Sequence, residues 1–119
     1  MRDPSVAILE VLWHPAHQAR ELPVKKIAEY LNVLLRIRGE KYGYGEEEVG
    51  WNLSHHGFCR RRIGSGMVLR FSSENNQLLH HLVHKLGLDL PTVQGCSYCA
   101  KPEENVPKVV PDVWVLQVF

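Results

Sequence analysis

Within residues 1–90 one strand-forming signal interrupts a sequence otherwise written at helical period. Phe58-Cys59-Arg60-Arg61-Arg62-Ile63 and Met67-Val68-Leu69-Arg70-Phe71 flank Gly64-Ser65-Gly66, which reads as a β-hairpin closed by a tight turn. Around it, apolar residues recur every three or four positions. Pro4 to Trp13 sets Val6, Ile8, Leu9, Leu12 and Trp13 at helical spacing, and Pro15 is expected to stop that helix, because proline has no N–H for the ladder. Pro23 opens the clearest helix, where Val24, Ile27, Ala28, Leu31, Leu34 and Leu35 form one stripe and Gly39 is the stop. The spacing predicts a third helix over Glu46 to His56, with three glutamates at its positive end and Val49 and Leu53 facing inward. A fourth is capped by Ser72 or Ser73 and runs through Leu86 on Leu78, Leu79, Leu82 and Val83.

The order is therefore helix, helix, helix, hairpin, helix. This is an α+β chain, and a helix-turn-helix followed by a two-stranded wing is a winged helix-turn-helix. That unit is assigned residues 1–90. Residues 91–119 form a C-terminal extension with four prolines, a Cys-x-x-Cys pair and a terminal run from Asp112 to Phe119 rich in valine and aromatics. Pro107 and Pro111 make residues 102–111 extended linker, and residues 113–119 are expected to be a strand that adds to a sheet edge in this chain or a partner's.

No uninterrupted apolar run is long enough to span a bilayer, so no membrane role is expected. No charged-then-apolar leader opens the sequence, and its 3 cysteines do not make a disulfide framework. An intracellular, cytoplasmic protein is the expectation. The overall charge of +1 conceals an uneven spread: residues 20–70 carry ten Lys/Arg against six Glu. A mildly basic middle hints at an anionic partner.

The run Ile27-Ala28-Glu29, Asn32, Arg38-Gly39-Glu40, Glu48-Val49-Gly50, Leu53, Gly57-Phe58, Arg61-Arg62 and Leu86-Gly87 resembles a winged-helix module. Such modules stand at the C-terminal end of bacterial and phage primase- or helicase-like ATPases. The similarity covers about residues 24–88 and departs from the pattern at His56, where those modules carry leucine. It implies an accessory role beside an ATPase, in a replication or helicase-type protein.

On that reading the function is non-catalytic binding of nucleic acid, most simply DNA. Lys25, Lys26, Arg60, Arg61, Arg62 and Arg70 would grip phosphates, since arginine offers planar multi-donor contacts to backbone oxygens. Trp51, Asn52, Ser54 and His55 would lie on the groove-entering helix, with Asn52 suited to adenine. Glu46, Glu47 and Glu48 oppose this, because carboxylates repel the phosphate walls. The alternative is a protein-interaction or dimerisation domain in which Trp51 is an aromatic anchor, docking a second copy or an ATPase.

Cys96 and Cys99 have the spacing that lets two thiolates reach one tetrahedral zinc. His80 and His84, four apart on one helical face, would complete a structural site. The alternative is that His81 and His84 are simply the polar side of an amphipathic helix. His14 and His17 flank Pro15, and a second metal there has little support. Cys59 reads as a small core residue. Nothing assembles a general acid, a base and a nucleophile, so no enzyme activity is expected.

Overall fold

Leu12, Ile27, Leu31 and Leu69 are wholly excluded from solvent, and they come from three different parts of the chain. Burying each such side chain contributes about 1.5–3 kcal/mol, so these contacts set the architecture. In the computed structural model, which describes residues 3–101, eight elements assemble around them. They are α1 (Ser5–Ala16), β1 (Glu21–Pro23), α2 (Val24–Ile37), α3 (Glu46–His55), β2 (Arg60–Ile63), β3 (Gly66–Arg70), α4 (Ser73–Lys85) and α5 (Ser97–Ala100). The described residues thus form a mixed α+β structure of helices on a small antiparallel sheet, in strand order β1-β3-β2. The segments expected at residues 102–111 and 113–119 lie outside the described residues.

The hairpin closes where Ile63 pairs with Gly66, so Gly64-Ser65 is its turn. Arg60 is opposite Leu69 and Arg61 opposite Val68. Partners across a ladder share a face, so Arg60 leans toward the core side with Leu69, and Arg61 points the other way. β1 is a finding beyond the sequence expectation: Glu21, Leu22 and Pro23 pair with Arg70, Leu69 and Val68. Three residues are too few to show alternation, and Pro23, with no N–H to donate, is tolerated because β1 is a sheet edge.

α1 does not stop at Pro15. The helix continues through it to Ala16, and Gln18 N–H and Ala19 N–H both donate to the Pro15 carbonyl. The missing N–H removes one bond of the ladder, but the carbonyl of Pro15 still accepts. Elsewhere the boundaries shift by a residue: α3 ends at His55 and α4 at Lys85, with Ser72 as the cap, its hydroxyl accepting from Asn75 N–H. After α3, Gly57 takes φ +96°, a left-handed value open to glycine. Phe58 N–H then reaches back to Leu53 O, which turns Phe58 into the core at 5% exposure. Cys59, the next residue, is exposed rather than buried, because this turn spends the inward position on Phe58.

Candidate metal centre

Carrying α1 past Pro15 brings His17 under Trp13. The Nδ1 of His17 lies 2.7 Å from the Trp13 carbonyl, and the Nδ1 of His80 lies 2.7 Å from the Asn76 carbonyl. A carbonyl only accepts, so both rings donate from Nδ1. In a neutral imidazole this leaves Nε2 as a lone pair, and such a backbone-held tautomer is how metal-binding histidines are oriented. The two Nε2 atoms face each other at 3.2 Å. Two lone pairs at that distance repel unless something positive sits between them.

The thiols supply the rest. Gly95 at φ +86° makes the turn before Cys96, and the single helical turn of α5 then places Cys99 on the same side. Cys96 Sγ is 3.7 Å from His80 Nε2, and Cys99 Sγ is 3.4 Å from His17 Nε2. All the donor atoms of His17, His80, Cys96 and Cys99 lie within 4.8 Å of one another, so among the described residues these side chains form a group that can hold a metal ion.

Burial favours the ligating form of His80, since desolvation lowers its pKa against the weaker opposing pull of its bond to Asn76 and keeps the ring neutral. The Cys99 thiol is pushed up, first by burial, so without a cation it keeps its proton. Trp13 packs both rings in place, with centroids 4.8 Å from His17 and 4.6 Å from His80. Its indole N–H donates to Pro91 O at 2.8 Å, tying residue 91 to α1. A cavity of about 300 Å³ opens beside the group between Ala16, Asn76, Val93 and Tyr98.

Three of the expected donors therefore converge and the fourth is corrected. His84 is exposed and outside the group, and His17 stands in its place. His84 lies four residues further along α4 and is exposed, whereas His17 meets His80 from the end of α1 at 3.2 Å. The sequence signal for His17 is the stripe Leu9, Trp13, His17, which extends by fours only if Pro15 does not end the helix.

The residues assigned to nucleic acid scatter. Trp51, Ser54 and His55 are on the exposed face of α3, with Trp51 stacked on His55 at 4.9 Å. Asn52 is corrected: it is 7% exposed, and its amide donates to Ser5 Oγ at 3.2 Å, so it does not face outward. A Cβ on Gly50 would fall 2.5 Å from the Arg60 guanidinium, which rests on α3. Arg61 and Arg62 are exposed on β2; Arg70 lies 4.0 Å from Glu21, and Lys26 is paired with Glu29 at 3.2 Å. Lys25 is exposed on α2.

The Ser5 cluster resembles a catalytic set in composition only. Ser5 Oγ donates to Asp3 at 2.6 Å and lies 2.7 Å from His56 Nε2. Burial raises the Asp3 carboxyl, but the Ser5 hydrogen bonds and the His56 interaction outweigh it and hold the pKa below its ordinary value. The single hydroxyl proton therefore goes to the Asp3 carboxylate, and His56 donates to Ser5 rather than withdrawing its proton. The protons run opposite to serine activation. No protein-family model matches this chain, and neither a curated protein nor a solved structure matches it.

Proposed function

We propose that this chain is a non-catalytic protein-interaction module of winged-helix type, clamped by a structural zinc ion held by His17, His80, Cys96 and Cys99. The zinc assignment rests on one observation, the spacing of the donors. Zinc bound tetrahedrally at its usual bond lengths sets nitrogen–nitrogen edges of about 3.3 Å and nitrogen–sulfur edges of about 3.6 Å. Three of the six separations are 3.2 Å, 3.4 Å and 3.7 Å, and all six lie within 4.8 Å. Two thiolates and two neutral imidazoles also cancel the charge of a divalent cation, which suits a partly buried site. The ion would join α1, α4 and the cysteine turn, and it would supply folding energy rather than chemistry.

Support for the winged-helix reading comes from the order of α2, α3 and the hairpin, with β1 closing the sheet on β3. Support for a protein partner comes from α3: its exposed face carries Trp51 and Glu47, and its one adenine-reading side chain, Asn52, is turned inward. A second reading, nucleic-acid binding by the wing, is favoured by the exposed Arg61 and Arg62.

Metal analysis tests the first reading. The purified chain should carry about one zinc, and Cys96→Ser should lose it; a variant that retained the parent's zinc would remove the proposed site. A DNA titration at two salt concentrations tests the second, because phosphate contacts make affinity fall steeply with salt. Binding of that kind would move the function to nucleic acid.

A further inference from the structure

A second feature of α3 says what chemistry the partner brings. A groove of about 460 Å³ runs between Pro4, Tyr44, Glu47, Glu48, Trp51 and Asn52. Its walls are apolar and aromatic, and its rim is acidic. Trp51 is 66% exposed, and its indole forms part of the groove lining.

Part of the lining is held before any ligand arrives. The backbone of Tyr44 is gripped from both sides by Asn32, whose Oδ1 accepts from Tyr44 N–H at 2.8 Å and whose Nδ2 donates to Tyr44 O at 2.9 Å. A Cβ on Gly43 would fall 2.8 Å from Asn32 Oδ1, so the close approach of this loop to α2 depends on glycine. Glu48 accepts from Gly45 N–H at 3.1 Å through one carboxylate oxygen. Trp51 lies nearly parallel to His55, at an interplanar angle of 14°, and His55 is not among the groove residues. Walls set in advance lower the entropic cost of binding.

We infer that this groove binds the arginine side chain of a partner polypeptide, with the guanidinium stacked on Trp51 and hydrogen-bonded to Glu47. The charge complementarity carries the choice: an indole face and exposed carboxylates attract a cation, and a planar guanidinium satisfies both at once where an ammonium does not. The electrostatics agree, because Tyr44 is shifted upward by burial and then by the fields of Glu48, Asp3 and Glu40. This inference rests on the reading of α3 as a protein-facing helix and is independent of the zinc.

The test is a titration of the full, zinc-loaded chain, labelled with nitrogen-15, with acetyl-Gly-Arg-Gly-amide. The Trp51 indole N–H and Tyr44 amide should shift and saturate. The citrulline tripeptide, of the same shape without the charge, should bind at least about tenfold more weakly. Glu47→Gln should weaken the arginine peptide several-fold, and Trp51→Ala should abolish the response. Equal binding of the citrulline or lysine tripeptide overturns the guanidinium assignment. So does the absence of any shift up to about 10 mM peptide, or a DNA duplex that moves the Trp51 signal more than the peptide does. Zinc content is measured on every variant, so failure of the groove with metal intact is distinguished from failure of the zinc clamp.

Discussion

The two ends of α1 are held by clusters of similar make-up and opposite logic. At its start, Asp3, Ser5, Asn52 and His56 join α1 to α3; at its end, His17, His80, Cys96 and Cys99 join it to α4 and the cysteine turn. Both contain histidine beside a hydroxyl or thiol. At the first end donors and acceptors alternate, and the cluster is complete in itself. At the second, two imidazole lone pairs confront each other with thiols around them, a set that a cation could draw together. The lesson is that the count of protons, more than residue identity, separates a hydrogen-bonded clamp from a metal site.

The largest expected effect breaks the second end alone. Cys99→Ser, or removal of zinc by a chelator, should cost at least about 3 kcal/mol, which for a domain of this size lowers the Tm by more than about 10 °C. A melting curve indifferent to the chelator would erase the contrast. At the first end, Asn52→Ala should cost about 1–3 kcal/mol by leaving buried partners unmatched. Zinc stoichiometry should stay as in the parent; its loss would mean the clusters are not separate.

Acid sharpens the comparison. Burial, reinforced by His55 and only partly opposed by Asp3, holds His56 below its ordinary value of 6.5. Unfolded His56 takes up a proton near that value and folded His56 resists it, so stability is lost as pH falls below about 6.5. Amide protection factors over residues 5–9, corrected for the intrinsic exchange rate at each pH, should therefore fall on acidification in the parent and less so in His56→Gln. An equal fall in both would place the acid response elsewhere. The smallest effect belongs to His84→Gln, expected within about 0.5 kcal/mol of the parent and with zinc unchanged. A loss of metal in that variant would restore His84 as a ligand.

What the sequence disclosed depended on distance along the chain. α2 and the hairpin were legible because each repeats its own period over a dozen residues or closes on a glycine turn. Cys96, Cys99 and His80 were legible as donors from local spacing and residue chemistry. His17 was not, since it lies 63 residues from His80, and the contact depends on a helix passing through a proline. Asn52 and Cys59 were misplaced for a related reason: helical spacing marks a face but not which neighbour covers it, and Ser5 and Phe58 decided those two. The arginine groove was illegible because Tyr44 enters it from a glycine loop with no periodicity.

Finally, the residues of the candidate metal group are spread from residue 17 to residue 99, a separation of 82 positions for the farthest contact. During synthesis the last of them leaves the ribosome long after α1 and the sheet are available to pack. An ion bound there would therefore meet a nearly finished architecture, as a late lock on assembly rather than its nucleus.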